Sequence, residues 1–394
     1  MINMKRSANE ITTMDWQSDD EIYDYDPETR WKTSDSFYQD ISYVRDSFNL
    51  VKEIGDGSYG VVFKAIRKED NKAVALKKYK LPLNANEDDP VFKDDYNSIK
   101  SEITLMKELN HPNILSMNNI YHGRGKNSIY IEMPLYSTNL YTIIQEENFS
   151  FKAEEIRYIM YQLFSGLSYL HQHHYIHRDI KSANLLYSNG NIAISDFNLT
   201  IPIPSSSSSS SSTDSEPMSP VGTLAYRAME IYLLPSSSTY TTAIDIWSSG
   251  IIFLELIMNK SLFSESGEIT TLSAIIGMLG SPDESTCPLL KDPNCLSGFR
   301  LKHVPSKLND QLKPYIETGI LSEDGFNLLK QCLEFDTKKR ITADEALRHP
   351  FFNSSPLLSK EKMPSLLSLL KQKEEREYIA KKKYLEELQK LFAE

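Results

Sequence analysis

Apolar positions change their period three times along this chain. From Phe48, the residues Leu50, Val51 and Ile54 lead into a glycine-rich turn, and Val61, Val62, Phe63, Ala65 and Ile66 leave it, which predicts strand, turn and strand. Val74, Ala75 and Leu76 supply a further strand. Over Tyr96 to Leu109 the period lengthens. Ile99, Ile103, Met106 and Leu109 recur at three- and four-residue spacing, the mark of an amphipathic helix, and His111-Pro112 stops it. After a strand-like run from Ile129 to Leu135, the residues Ile156, Ile159, Met160, Leu163, Leu167 and Leu170 define one buried helical stripe. The pattern predicts an α+β chain in which a β-rich small lobe precedes a mainly helical large lobe.

Both flanks and one internal segment break this order. Residues 1–47 lack sustained periodicity, and Asp15, Asp19, Asp20, Glu21, Asp24, Asp26 and Glu28 cluster there, which predicts an acidic, solvated extension. Residues 205–212 are an unbroken serine run, which cannot bury apolar surface and reads as a flexible insert within 205–219. Residues 353–394 set Leu366, Leu370, Ile379, Leu385, Leu388, Leu391 and Phe392 among many Lys and Glu. They read as one or two amphipathic helices, which either dock on the large lobe or bind a partner or another copy. The ordered domain is therefore expected over 48–352, divided near 134/135.

Composition narrows the function classes. The 394 residues suit two packed lobes with tails, and 40% hydrophobic with 25% charged residues is an ordinary globular mixture. Lys+Arg 43 against Asp+Glu 54 gives a net charge of -11, which disfavours nucleic-acid or anionic-membrane binding. Three scattered cysteines, Cys287, Cys295 and Cys332, make neither a disulfide framework nor a four-thiolate zinc site. With no apolar leader and no run of about 18 apolar residues, an intracellular protein of nucleus or cytoplasm is expected.

Polar motifs then punctuate the apolar pattern. Gly55-Asp56-Gly57-Ser58-Tyr59-Gly60 lies between two strands, where glycines let a backbone turn approach phosphates without Cβ clashes; a plain hairpin uses the same residues. Lys77 ends Val74-Ala75-Leu76-Lys77, and Glu102 sits on the amphipathic helix. His177-Arg178-Asp179-Ile180-Lys181-Ser182-Ala183-Asn184 is the most specific stretch: a compact loop carrying a carboxylate that accepts a hydroxyl proton and, five residues on, an amide that holds a cation. Asp196-Phe197 follows a short hairpin later. His171, His173, His174 and His177 lie close together, but zinc would want further Cys, Asp or Glu ligands in register.

Together these motifs resemble the eukaryotic protein kinase family over most of 48–352. The likeness is greatest to the cyclin-dependent branch of the proline-directed serine/threonine kinases. Leu105-Met106-Lys107-Glu108-Leu109-Asn110-His111-Pro112, Gly222-Thr223-Leu224-Ala225-Tyr226-Arg227-Ala228-Met229-Glu230, Asp245-Ile246-Trp247-Ser248 and Leu279-Gly280-Ser281-Pro282-Asp283-Glu284 carry that likeness. The resemblance implies a bilobal fold, ATP and Mg²⁺ as cofactors, and transfer of phosphate to protein Ser or Thr. In it Asp179 meets the substrate hydroxyl, Lys181 and Thr223 assist, Lys77 grips phosphates and pairs with Glu102, and Asn184 and Asp196 hold Mg²⁺. Ile54, Gly55, Gly57, Ser58, Tyr59, Gly60, Val62, Ala75 and Leu186 would enclose the nucleotide, although several serve equally as core. Met133, Leu135 and Tyr136 align with gatekeeper and hinge, unless Glu132 is the hinge acid with an insertion after it. As scaffold, Asp245 would brace the catalytic loop and Glu230 would pair with Arg340.

The resemblance also implies regulation and specificity. Val221 and Arg227 stand where a substrate proline is selected after the phosphorylated residue, with Gly222 replacing a bulkier neighbour. Ser58 and Tyr59 match an inhibitory phosphorylation pair, and Thr213, Ser215 and Ser219 are activation-loop candidates. Of three arginines that clamp a loop phosphate in relatives only Arg178 matches, with Ser101 and Ile201 at the other positions, so weak dependence on that phosphate is expected. Tyr96-Asn97-Ser98-Ile99-Lys100-Ser101 departs from the cyclin-contacting signature, which weighs against a cyclin activator. Asn198 replaces the glycine of Asp-Phe-Gly, where its tolerance of positive φ is the expected reason, and Met229 replaces a proline. Two rival readings are a pseudokinase scaffold or allosteric activator and a kinase-like small-molecule phosphotransferase.

Overall fold

In the computed structural model, residues 43–57, 60–79, 90–123, 129–146, 149–203, 222–233, 241–263, 267–292, 295, 302–353 and 358 are described, with positions 368, 369, 372, 375, 376, 379 and 382 beyond them. The acidic extension, Ser58, Tyr59, Val221 and the serine-rich insert with Thr213, Ser215 and Ser219 lie outside the described residues, as does most of the C-terminal tail. The chain divides into two units, one of residues up to His111 with Leu115–Tyr136, the other of Pro112–Ile114 with the residues from Ser137 onward.

The first unit is built on strands β1 (Phe48–Gly57), β2 (Gly60–Arg67), β3 (Ala73–Tyr79), β4 (Asn119–His122) and β5 (Ile129–Pro134), preceded by a single turn α1 (Val44–Ser47) and interrupted by helix α2 (Pro90–Glu108). The sheet order is β1-β2-β3-β5-β4 and all its pairs are antiparallel. Alternation puts Phe63 and Ala65 of β2 inward with Val74 and Leu76 of β3, beside Phe48, Leu50 and Tyr130. Phe48 meets Tyr121 edge-on at 4.8 Å between ring centres. Helix α2 buries Ile99, Ile103 and Met106, with Leu109 just after its end. Gly60 has a backbone reason to be glycine, since a Cβ there would lie 2.2 Å from the Lys78 carbonyl oxygen of β3.

In the second unit the elements run β6 (Thr138–Asn139), α3 (Leu140–Ile144), α4 (Ala153–Gln172), β7 (Tyr175–Ile176), β8 (Leu185–Ser188), β9 (Asn191–Ile194), β10 (Ile201–Pro202), α5 (Met229–Leu233), α6 (Ala243–Met258), α7 (Glu268–Leu279), α8 (Leu308–Glu317), α9 (Glu323–Cys332), α10 (Ala343–Leu347) and α11 (Pro350–Asn353). Helix α6 is buried on all sides from Ile244 to Ile257, a mainly apolar run that also buries Asp245, Ser248, Ser249 and Glu255. Ser322 caps α9 and Thr342 with Glu345 forms a capping box on α10. Among the described residues no helix is long and apolar enough to cross a membrane.

Two short pairings position the chemistry-bearing segment. Strands β8 and β9 form a hairpin whose two-residue turn, Asn189-Gly190, has φ of 49° and 77°, the primed geometry that Asn-Gly favours. Its register sets Leu185 opposite Ile194, so Asn184 and Ser195-Asp196 leave the hairpin at the same end. Strand β7 pairs with β10, placing the His177 segment beside the residues that follow Asp-Phe-Asn.

Candidate active site

In the first unit, Lys77 lies on β3 opposite Val62 of β2 and Ile131 of β5. Its Nζ reaches both Glu102 carboxylate oxygens, at 2.7 and 3.1 Å, and lies 4.8 Å from the Tyr79 ring centre. Tyr79, which the sequence reading did not single out, donates its hydroxyl to Glu102 at 2.8 Å. Glu102 is thus a buried, fully engaged acid and not a solvated helix charge. Ala75 and Met133 are buried opposite one another across β3 and β5, Val62, Leu135 and Tyr136 are half-buried, and Ile54 and Gly55 are exposed. Glu132 is fully buried. It accepts from Arg67, from Asn118 at 3.0 Å and from Tyr121 at 3.0 Å, so its carboxylate is committed to the sheet interior.

In the second unit, Asp179, Lys181, Asn184 and Thr223 converge. Asp179 Oδ1 accepts from Thr223 N at 3.0 Å and Thr223 Oγ1 at 2.8 Å. Its Oδ2 is 2.8 Å from Lys181 Nζ and accepts from Asn184 Nδ2 at 3.2 Å. Lys181 also donates to Thr223 Oγ1 at 2.9 Å. Burial pushes the Asp179 carboxyl up, but the Lys181 ammonium and the hydrogen bonds from Lys181 and Thr223 together outweigh it and hold the group below the ordinary carboxylate range.

One acid on a distant helix fixes this loop. Asp245 of α6 accepts from the backbone N–H of His177 at 2.9 Å and of Arg178 at 3.0 Å, and meets His171 Nε2 at 2.9 Å. His177 is structural: Nδ1 accepts from Asp179 N at 3.2 Å, Nε2 lies 3.1 Å from the Ser195 carbonyl oxygen, and the ring packs edge-on against Phe197. Among the described residues no group of three His, Cys, Asp or Glu is arranged to hold a metal. Arg178 donates Nε to the Leu199 carbonyl oxygen, and Ile201, where relatives would place an arginine, is a paired residue of β10. Leu186 is half-buried on β8.

The segment after the insert docks on the same loop. Gly222 has φ of 91°, and a Cβ on it would meet the Arg178 carbonyl oxygen at 2.6 Å. Arg227 donates Nη2 to the Gly222 carbonyl at 3.1 Å and pairs with Glu268 through Nη1. Glu230 and Arg340 form a two-pronged buried ion pair at 2.7 and 2.9 Å. Tyr226, Ser182 and Glu255 make a further buried network: the Tyr226 hydroxyl is 2.8 Å from Ser182 Oγ and 3.0 Å from Glu255 Oε2. Burial raises the Glu255 carboxyl to about 7, with hydrogen bonds from Tyr226 and Ser182 drawing it partly back. Sequence reasoning missed this network because nothing in the spacing of Ser182, Tyr226 and Glu255 marks them as partners.

One expectation is corrected. Asn198 does not take a positive φ; the left-handed residues of this region are Arg178 (φ 68°) and Asp196 (φ 67°). Asn198 instead spends its amide on Asp196, donating Nδ2 to Oδ1. Backbone tolerance therefore does not explain the asparagine.

Comparison with known proteins bears on the family. Residues 48–352 match the protein kinase domain family. The chain is 35% identical over 329 residues to the probable cyclin-dependent kinase 10 of Dictyostelium discoideum, covering 82% of this chain and 84% of that protein. It is 35% identical over 313 residues to cyclin-dependent kinase 11 of the same organism, covering 79% and 81%. Among solved structures it resembles the crystal structure of the yeast RNA Pol II CTD kinase CTDK-1 complex, with a TM-score of 0.66 and 25% identity over 80% of this chain and 95% of that one. A relationship of that extent is one of family, and this chain belongs to the protein kinases, as an ATP-dependent serine/threonine kinase of the cyclin-dependent kinase-like branch.

Proposed function

We propose that this kinase phosphorylates protein Ser or Thr residues that are followed by proline, with Asp179 receiving the substrate hydroxyl and Mg²⁺ held by Asn184 and Asp196. Mg²⁺ takes hard oxygen ligands. Asn184 commits its Nδ2 to the Asp179 backbone oxygen at 2.9 Å and to Oδ2, which leaves its own side-chain oxygen as a donor, and Asp196 supplies a carboxylate. That donor set suits Mg²⁺, which when bound would neutralise charge on the nucleotide phosphates.

The protein groups then have distinct tasks. The Asp179 carboxylate already accepts four contacts, about its full capacity, so a substrate hydroxyl must exchange with one of them. Lys181 is the one to leave. Its side chain is 24% exposed whereas Asn184, the other donor to Oδ2, is buried, and its ammonium can swing to the transferring phosphoryl group while Oδ2 turns to the hydroxyl. A base held below the ordinary carboxylate range suits a reaction in which orientation matters more than early proton removal. Lys77, oriented by Glu102 and Tyr79, is assigned to the nucleotide phosphates.

The single observation that carries the proline preference is the hydrogen bond from Arg227 to the Gly222 carbonyl. With that carbonyl taken, a substrate N–H following the phosphorylated residue would lack an acceptor, at a cost of about 1–3 kcal/mol, and proline has no N–H to leave unmade. Paired peptides differing only as Ser-Pro and Ser-Ala test this, alone and with candidate cyclins, because the relatives' names carry a cyclin dependence. The expected kcat/KM ratio is at least about tenfold for Ser-Pro. Equal values, or turnover surviving Asp179→Asn, would reject the corresponding part of the reading.

A further inference from the structure

The assignment of Asp196 as a metal ligand leaves one neighbouring side chain to be explained. The backbone around Asp196 is fixed on several sides. Ser195 bonds the Asn184 carbonyl through both N and Oγ at 2.9 Å, His177 meets the Ser195 carbonyl, and Phe197 packs on His177. A turn closes just after it, with Thr200 N donating to the Phe197 oxygen at 3.0 Å. Rotation of the carboxylate about its last bond is a separate matter, because that torsion is broad and close to two-fold. Within this unit, among the described residues, the donor to the Asp196 carboxylate is Asn198 Nδ2, which engages Oδ1 and leaves Oδ2 unbonded.

We propose that Asn198 is a positioning residue: its amide holds the Asp196 carboxylate in one rotation, occupying Oδ1 and presenting Oδ2 to a divalent cation. The proposal rests on the reading of Asp196 as a ligand. A hydrogen bond to an ionised acceptor is among the stronger ones available to a side chain, so it can select one rotation where the backbone alone selects none. Glycine at this position offers no donor. Asparagine here is therefore a change in how the acid is held and does not remove the acid.

Binding of a fluorescent ADP analogue to the full chain, titrated with Mg²⁺ and repeated in EDTA, tests this without phosphoryl transfer. Asp196→Asn is expected to abolish the metal-dependent gain in affinity. Asn198→Ala and Asn198→Gly are expected to raise the Mg²⁺ concentration at half-maximal binding about tenfold, or about 1.4 kcal/mol, with EDTA binding and melting temperature at wild-type values. If Asp196→Asn loses the gain while either Asn198 variant keeps a midpoint within about twofold of wild type, the role of Asn198 is overturned alone. If Asp196→Asn keeps the metal-dependent gain, the ligand assignment fails and the Asn198 proposal with it.

Discussion

Replacing Gly222 with alanine adds a single methyl group at the point where the segment proposed to meet substrate touches the loop that carries Asp179. The backbone there has φ of 91°, which costs an ordinary L-residue about 1–2 kcal/mol. The new Cβ would also sit 2.6 Å from the Arg178 carbonyl oxygen, about 0.8 Å short of the 3.4 Å at which ordinary contact begins. Something must move by that amount. The adjoining residue is Thr223, whose N–H and hydroxyl both donate to Asp179, and the Gly222 carbonyl is the acceptor for Arg227. A displacement near 1 Å at such a site costs about 10²-fold in rate. Gly222→Ala should therefore lower kcat/KM on a Ser-Pro peptide about a hundredfold and also flatten the Ser-Pro to Ser-Ala ratio, measured by steady-state kinetics on both peptides. Gly222→Asn separates the two causes, because asparagine accepts positive φ but keeps the Cβ. Both variants should fall together, since the steric contact is common to them. An alanine variant with wild-type kcat/KM and unchanged proline selectivity would refute the argument.

Two other expectations follow from buried charge. Glu255 has a folded-state carboxyl raised to about 7, above its ordinary range, so the fold loses stability as pH rises from about 4.5 through 7, where the unfolded chain ionises more readily. Glu255→Gln removes that dependence and keeps an acceptor for Tyr226; at pH 8 its melting temperature should exceed wild type by the equivalent of about 2–3 kcal/mol, and a lower value would contradict the burial argument. Arg340→Met leaves Glu230 buried and unpaired, at a cost of about 3–5 kcal/mol, whereas the double variant with Glu230→Met should recover most of the lost thermal stability.

Much of the fold is legible because periodicity and burial answer to the same geometry. Ile99, Ile103, Met106 and Leu109 form a stripe in sequence and lie buried in space, and the stripe from Ile156 to Leu170 behaves likewise. The constellation around Asp179 is legible for another reason: a compact loop and a two-residue hairpin leave little freedom over where Asn184 and Asp196 emerge. Other partnerships depend on meetings between segments far apart in the chain, which spacing does not encode. The commitment of Glu132 to Arg67, Asn118 and Tyr121 depends on strand register. The meeting of Ser182, Tyr226 and Glu255 joins three elements, and Asn113 links Gln162 and the Ile192 carbonyl in the same manner. Gly222 looked like a lost side chain, yet its backbone conformation and the nearness of Arg178 make glycine the residue that fits. Asn198 was misjudged because a backbone rule was applied to a residue whose side chain does the binding.

Asp245 holds the loop around His177 and Arg178 from a helix buried along its whole length, without itself touching Asp179 through any hydrogen bond described above. A genetic screen that scores only dead enzyme would group a lesion at this remote position with lesions at Asp179, the carboxylate proposed to receive the substrate hydroxyl. Allele maps of this gene would then draw a functional centre wider than the one substrates meet, and the helix start would be mistaken for part of the surface they touch.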